Sequence, residues 1–159
     1  MISYGADYIK VYGQPVTDKV VYIVSELAVN GEAFDFVQAS KGLDERTSRR
    51  LFSQIVSGVD HLHKKGYAHR DLKLQNFMLD GQCELKIGDF GMVKCFEQEK
   101  LSTKLGTEEY MAPELLSEDS RPYLGPPADI FALGVNLFII HTARFPFQNC
   151  LKDWFYSKF

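Results

Sequence analysis

Hydrophobic positions change their spacing along the 159-residue chain, and each spacing predicts a different element. Between residues 44 and 65, apolar side chains recur at steps of three and four, which places them on one face of a helix. The stripe consists of Leu51, Phe52, Ile55, Val56, Val59 and Leu62. Asp44 is a suitable N-cap for this helix and Gly66 a suitable stop.

Short β-prone runs separated by turn residues predict two hairpins. The first pairs residues 8–12 with residues 20–24 across a segment that contains glycine, proline and polar residues. The second pairs residues 77–79 with residues 84–87 across an Asp-Gly turn signal. The chain therefore combines helices with short antiparallel strands.

Three further segments complete the predicted organisation. Residues 32–40 predict a short helix that carries Phe34 and Val37 inward. Residues 88–114 show no strong period and predict a long loop, and a loop of that length in a compact domain is usually functional. Residues 129–142 predict a helix that is apolar on nearly all sides and hence buried.

Composition places the chain among ordinary soluble domains, since 45% of its residues are hydrophobic and its net charge is −3. Lys and Arg total 18 against 21 Asp and Glu, which disfavours a dedicated nucleic-acid binder. The longest apolar stretch, residues 130–140, is interrupted by Asn136 and is shorter than the roughly 20 residues that span a membrane. No secretory signal is recognisable. Three cysteines without ligand-like spacing fit a reduced cytosolic or nuclear compartment.

Three short motifs with fixed spacing carry the candidate chemistry. They are His-Arg-Asp-Leu-x-x-x-Asn at residues 69–76, Asp-Phe-Gly at residues 89–91 and Ala-Pro-Glu at residues 112–114. In this order they resemble the corresponding elements of eukaryotic protein kinases. Five fixed positions match by chance with a probability on the order of 10⁻⁴ or less. Lys73 and Thr107 resemble the serine/threonine branch of the family.

The resemblance implies an α+β, protein-kinase-like fold that consists mostly of the helical large lobe with a small remnant of the small-lobe β-sheet. Residues 1–159 would form a partial kinase domain. Residues 1–25 would supply small-lobe strands, residues 26–32 the hinge and residues 33–159 an incomplete large lobe.

The resemblance also implies the transfer of the γ-phosphate of ATP, with Mg²⁺, to a serine or threonine hydroxyl of a protein substrate. Asp71 would accept the proton of that hydroxyl, and Lys73 would lie beside the transferred phosphate. Asn76 and Asp89 would supply oxygen ligands to Mg²⁺, which prefers such hard ligands. Outside this motif context, an aspartate in a loop is more often a turn or cap residue.

For the nucleotide, the resemblance assigns the backbone of Glu26 and Ala28 to the base and Met78 to the apolar floor of its pocket. Glu32 would reach a ribose hydroxyl or a basic side chain of the substrate. Ser25 falls where the family controls entry to the back of the pocket, and its small size predicts room for bulky adenine analogues.

Regulation is implied for the loop between the second and third motifs. Arg70 resembles the arginine that meets a phosphorylated activation loop, and Lys94 is a second candidate cation. Thr103 is the candidate phosphorylation site, with Ser102 as a close alternative. Phosphate there would gain charge-assisted hydrogen bonds.

The histidines and Lys10 receive structural interpretations. His61 and His63 are two positions apart on a helix and do not face each other, so they are expected to be surface or core residues and not metal ligands. His69 is expected to organise its loop. Lys10 is expected to be a strand lysine that faces water, because only about ten residues separate it from the next strand.

The family's glycine-rich loop and its pairing of a strand lysine with a helix glutamate are not recognisable in the 159 residues. Losing one preorganised charge-stabilising group typically lowers a rate by about 10²–10³-fold, so we expect these residues alone to be a poor catalyst. Two alternatives to an active kinase therefore stay open. One is a kinase-like binding or regulatory module without catalysis, and the other is a truncated product that does not function.

Overall fold

Two long helices form the centre of the described structure. The computed structural model describes residues 7–13, 20, 22–96, 101–117, 121–154 and 156–158. The α-helices are α1 (Ala33–Ala39), α2 (Glu45–Lys64), α3 (Pro113–Leu116) and α4 (Gly125–Thr142). The strands are β1 (Asp7–Tyr8), β2 (Val11–Gly13), β3 (Val24–Ser25), β4 (Tyr67–Ala68), β5 (Phe77–Leu79), β6 (Leu85–Ile87) and β7 (Lys94–Cys95).

Helix α2 confirms the helix predicted for residues 44–65. Asp44 caps its first turn by accepting a hydrogen bond from the backbone N–H of Thr47 at 3.0 Å. Gly66 follows the last turn with φ +82°, a left-handed conformation that favours glycine. The fully buried members of the predicted stripe are Leu51, Ile55 and Val59. Val56 is exposed instead, because it lies at an open groove between α2 and α4.

Helix α4 begins at Gly125, ahead of the predicted start at residue 129. Pro126 and Pro127 lie in its first turn, where a missing N–H leaves no helical hydrogen bond unmade. The prediction that this helix is buried on nearly all sides was wrong. Its exposed large apolar residues are Ile130, Leu137 and Phe138. Leu137 and Phe138 line a groove of about 810 Å³ between α4 and α2, and no described residue fills it.

The main core is formed by buried side chains of α2 and α4 together with those of the strands β5 and β6. Its largest fully buried side chains include Ile55, Leu72, Leu74, Phe77, Leu85, Ile87, Ile139 and Ile140. Burying each such side chain stabilises the fold by roughly 1.5–3 kcal/mol relative to leaving it exposed. Helix α1 joins this core through Val37, which is fully buried, and through Phe34, which is partly buried, as predicted.

Strands β5 and β6 confirm the second predicted hairpin, with Met78 opposite Lys86 in an antiparallel ladder. Asp80 closes the turn because its Oδ1 accepts hydrogen bonds from the backbone N–H groups of Gln82 and Glu84, both at 2.9 Å. This hairpin carries Met78 towards the candidate site.

The first predicted hairpin is confirmed in its pairing and is shorter than expected. Strands β2 and β3 are antiparallel, with Val11 opposite Ser25, and the predicted turn at residues 14–19 lies outside the described residues. Tyr8 was predicted to pair within this hairpin, but it lies in β1, which pairs in parallel with β6 through Tyr8 and Ile87. The Tyr8 hydroxyl donates a hydrogen bond to the carbonyl oxygen of Gly58 on α2 at 2.7 Å, which fixes this strand to the helical core.

The predicted loop at residues 88–114 contains regular structure. Strand β7 pairs antiparallel with β4, which places Lys94 opposite Ala68, and α3 begins at Pro113. The overall architecture of helices and short strands is α+β, as predicted. None of the helices in the described ranges is both long and apolar enough to cross a membrane.

Candidate active site

Asp71 and Lys73, in the loop that follows β4, form a closed set of contacts with Thr107, which precedes α3. The Asp71 side chain is only 4% exposed, and its Oδ2 lies 2.8 Å from the Lys73 ammonium. The Thr107 hydroxyl donates to Asp71 Oδ1 at 3.0 Å and accepts a hydrogen bond from Lys73 Nζ at 3.0 Å. The first motif is thereby joined to the segment that precedes Ala-Pro-Glu, 36 residues further along the chain.

This arrangement keeps Asp71 ionised. Burial raises the pKa of the Asp71 carboxyl, but the hydrogen bonds from Lys73 and Thr107 and the charge of Lys73 outweigh it, so the pKa lies below its ordinary value. A carboxylate that is ionised at neutral pH is able to accept a proton or a hydrogen bond from an incoming hydroxyl.

Asp129 on α4 holds the backbone of the first motif. Its carboxylate is almost fully buried and accepts hydrogen bonds from the backbone N–H groups of His69 at 2.9 Å and Arg70 at 2.8 Å. The ring Nε2 of His63 lies 2.7 Å from the same carboxylate. Arg70 has φ +70°, a conformation that is costly for a residue with a Cβ and is maintained by these hydrogen bonds.

His69 links the first and second motifs. The ring is fully buried, its Nε2 lies 3.1 Å from the carbonyl oxygen of Gly88, and it packs against Phe90 with ring centroids 5.5 Å apart. Burial lowers the pKa of His69, which favours the neutral ring. The described residues contain no group of three or more carboxylate, imidazole or thiol side chains that could hold a metal ion.

Asn76 and Asp89, the two candidate metal ligands, are brought to one cavity. The Asn76 amide nitrogen donates to the Asp71 carbonyl oxygen at 2.8 Å and to Asp71 Oδ2 at 3.2 Å. Asp89 has φ +53°, and its Oδ1 accepts a hydrogen bond from the backbone N–H of Gly91 at 3.3 Å. The side-chain nitrogen of Asn76 is thus directed to Asp71, which leaves the side-chain oxygen of Asn76 as the atom that would coordinate a cation.

The cavity has a volume of about 330 Å³, at the lower end of the range typical of small-molecule sites. Its lining includes Ser25, Glu26, Ala28 and Met78, which are the residues assigned to the nucleotide base and the back of its pocket, together with Asn76 and Asp89. Glu32 does not line it and instead forms an isolated antiparallel bridge with Met78.

Glu26 is held by the backbone of Lys10, which lies between β1 and β2. The Glu26 backbone N–H donates to the Lys10 carbonyl oxygen at 2.9 Å, and the Glu26 carboxylate accepts from the Lys10 backbone N–H at 2.8 Å. Glu26 Oε2 also lies 3.7 Å from Lys86 Nζ. The Glu26 N–H is therefore already used, which leaves its carbonyl oxygen as the backbone group for a ligand. Lys10 itself is exposed, as expected, but it lies between two strands and not within one.

The donor set suits a hard divalent cation held together with a polyphosphate. Asn76 and Asp89 provide two oxygen-bearing side chains, and Mg²⁺ in proteins usually binds one or two such groups while water and phosphate oxygens complete its coordination. These two residues are too few for an all-protein cation cage.

Among the three candidate regulatory residues, Arg70 of the first motif contacts the loop that follows the second motif. Arg70 Nε donates to the Met92 carbonyl oxygen at 2.7 Å, and Arg70 Nη1 lies 3.5 Å from the Thr103 carbonyl oxygen. Thr103 and Ser102 are exposed, and Lys94 lies partly buried in β7. The structure thus brings Arg70 to the Thr103 backbone.

Sequence reasoning missed the contacts that Thr107, Asp129 and Asn136 make with the first motif. Thr107 was noted only as typical of one branch of the family, and its contact with Asp71 joins residues distant in sequence. Asp129 and Asn136 could have been found, because they are polar residues seven positions apart in a helix that is otherwise apolar and therefore share one face.

The fold and the three motif loops define this chain as a member of the protein kinase family. Residues 5–157 match the family model described as protein kinase domain, so the chain belongs to that family, as the motifs predicted.

The relatives with curated descriptions are similar to most of the chain. It is 44% identical over 133 residues to the human "NUAK family SNF1-like kinase 1", a match that covers 83% of this chain and 20% of that protein. It is 40% identical over 142 residues to the rat "Serine/threonine-protein kinase SIK1", covering 89% of this chain and 18% of the relative. It is 41% identical over 140 residues to the Arabidopsis thaliana "CBL-interacting serine/threonine-protein kinase 8", covering 87% and 31%. The chain thus spans about a fifth to a third of these relatives.

Proposed function

We propose that this chain is part of the catalytic domain of a serine/threonine protein kinase, which transfers the γ-phosphate of ATP to a hydroxyl group of a protein substrate. The observation that carries the proposal is the meeting of the motif residues. Asp71 contacts Lys73 at 2.8 Å and Asn76 at 3.2 Å, and Asn76 shares a cavity with Asp89. Membership of the protein kinase family and the names of two relatives support the reaction class.

Phosphoryl transfer requires positioning and charge neutralisation more than covalent chemistry by the protein. Asp71 would orient the substrate hydroxyl and accept its proton, and Lys73 would place its positive charge beside the transferred phosphate. Asn76 and Asp89 would hold Mg²⁺, which neutralises the charge of the phosphate groups. Thr107 would hold the Lys73 and Asp71 side chains in a fixed position relative to each other, because its hydroxyl contacts both.

The nucleotide base would lie between the segment that follows β3 and the β5 strand. Ser25, Glu26, Ala28 and Met78 line the same cavity as the candidate metal ligands, which would connect the base pocket with the phosphate end. We accordingly assign residues 1–25 to the small lobe, residues 26–32 to the hinge and residues 33–159 to the large lobe. The place of Glu32 outside the cavity favours a role towards the substrate over a role at the base.

Phosphorylation of Thr103 or Ser102 would strengthen the contact between the loop and the first motif. The Arg70 guanidinium already approaches the Thr103 carbonyl oxygen, so a phosphate on either neighbouring side chain would find a cation within reach. The three cysteines are free thiols, in keeping with a reduced compartment inside the cell.

The test is the transfer of labelled phosphate from ATP to a generic protein substrate by the purified chain, with Mg²⁺ or with EDTA. We expect slow, Mg²⁺-dependent labelling of serine or threonine that falls to background in Asp71→Asn. Asp60→Asn is the matched control, because Asp60 is an exposed carboxylate on α2 that pairs only with Lys64 in the described contacts. Equal labelling by the wild type and Asp71→Asn would contradict the assignment of Asp71.

A parallel thermal shift with ATP and Mg²⁺ separates the remaining alternatives. Ligand that binds the native state raises the unfolding temperature, and we expect a rise in the wild type that is reduced in Asp89→Asn. A rise without any phosphate transfer would support the kinase-like binding module. The absence of both effects would contradict the nucleotide site itself.

A further inference from the structure

Asn136 is a fully buried polar residue in the apolar centre of α4. Its amide nitrogen donates hydrogen bonds to the carbonyl oxygens of Leu72 at 3.0 Å and Ala132 at 2.7 Å. Because both partners are acceptors, the nitrogen and not the oxygen must face them. The Asn136 amide oxygen consequently points into the core with no hydrogen-bond partner among the described residues.

This orphan oxygen is an unfavourable feature of the core. A buried carbonyl without a donor is costly. Leucine, which has nearly the same shape as asparagine, would remove the orphan oxygen but would leave the Leu72 carbonyl oxygen without its bond from Asn136. The feature that only asparagine supplies is the hydrogen bond to Leu72, which belongs to the first motif. Asn136 therefore acts on the residue that lies between Asp71 and Lys73.

Asn136 and Asp129 contact the first motif from the same face of α4, since seven residues correspond to two helical turns. Asp129 accepts from the backbone N–H groups on the N-terminal side of Asp71, and Asn136 donates to the carbonyl group on its C-terminal side. The helix thus fixes the backbone immediately before and immediately after Asp71.

We propose that Asn136 is a positioning residue for phosphoryl transfer, which fixes the Leu72 carbonyl group and thereby the directions of the Asp71 and Lys73 side chains. The proposal rests on the proposed function of Asp71. The Leu72 carbonyl belongs to the peptide plane that leads into Lys73, so its rotation would move the Lys73 side chain away from Asp71. Asn136 touches neither substrate nor nucleotide and acts through the loop.

The test is Asn136→Leu, with amide hydrogen exchange followed residue by residue. We expect exchange to accelerate about tenfold at Asn76 and Phe77, whose N–H groups bond the carbonyl oxygens that follow Leu72, while the amides of His69 and Arg70 keep their protection because Asp129 still holds them. In the transfer assay we expect kcat to fall about tenfold with KM for ATP unchanged.

Ile139→Val is the matched control, because Ile139 is fully buried on α4 in the same core as Leu72, and its shortening lowers stability without removing a hydrogen bond to the loop. Asn136→Thr is a second test variant, since its hydroxyl can bond the Ala132 carbonyl one turn earlier but is too short to replace the bond to Leu72. Exchange that is unchanged at Asn76 and Phe77 in both Asn136 variants, or accelerated uniformly as in Ile139→Val, would overturn the proposal. Exchange does not depend on activity, so failure of the proposed kinase function would be seen separately in the Asp71→Asn comparison.

Discussion

The buried carboxylate of Asp129 carries a measurable share of the stability of the first motif. It accepts backbone hydrogen bonds from His69 and Arg70 and contacts the His63 ring. In Asp129→Asn one acceptor oxygen becomes an NH₂ group that faces a donor. A hydrogen bond to a charged group contributes about 1.5–3 kcal/mol, so losing one and weakening the others should cost about 3 kcal/mol. That is a large fraction of a typical stability of about 5–15 kcal/mol.

Urea unfolding followed by circular dichroism measures this cost. With a slope of about 2 kcal/mol per M, a loss of about 3 kcal/mol lowers the midpoint by about 1.5 M. Asp60→Asn makes the same chemical change at an exposed pair with Lys64 on one helix, where about 0.3–0.5 kcal/mol is expected and the midpoint should move by less than about 0.3 M. Midpoints that move equally in the two variants would refute the reasoning about Asp129.

Three further predictions concern other parts of the fold and the site. Gly42→Ala should unfold at a clearly lower temperature than Gly31→Ala. Both glycines have positive φ, but only at Gly42 would an added Cβ overlap the His141 carbonyl oxygen. Equal melting temperatures would be inconsistent with that packing. The stability advantage of the wild type over Asp71→Asn should be full at pH 7 and should decline as the pH falls through and below 3.8. The reason is that folding lowers the pKa of Asp71, so protonation at low pH removes its contacts. Urea midpoints that differ equally at pH 7 and pH 3 would argue against this linkage. Ser25→Met should weaken inhibition by bulky adenine analogues, since Ser25 lines the cavity, and unchanged potency in the labelling assay would exclude Ser25 from the pocket wall.

The elements that the sequence predicted well are those with local causes. Helix α2 follows from a helical spacing of apolar residues, with an N-cap at Asp44 where the helix begins and a glycine stop at Gly66 after it ends. The β5–β6 hairpin follows from its turn residues, and Asp80 closes that turn as expected. The resemblance of the motifs to those of protein kinases implied that these residues share a site, and the structure has Asp71 and Asn76 within hydrogen-bonding distance.

The features that the sequence did not reveal depend on contacts between distant segments. Strand β1 has two residues, too few for a period, and exists because Tyr8 pairs with Ile87 about 80 positions away. The exposed side of α4 could not be separated from its buried side, because an all-round apolar pattern does not show which neighbours cover it. The contact between Thr107 and Asp71 likewise arises only after the loop returns to the first motif.

The central claim is that Asp71, Asn76 and Asp89 surround one site for a divalent cation and ATP. The most direct measurement replaces Mg²⁺ with paramagnetic Mn²⁺ in the presence of ATP and follows the backbone and side-chain amide resonances by NMR. We predict selective broadening of the signals of Asn76 and Asp89 and of the Asp71 amide, since Asp71 contacts Asn76. The signals of Phe138, which lines the groove between α2 and α4, should stay sharp. Broadening that spares Asn76 and Asp89, or that appears at Phe138 instead, would contradict the account.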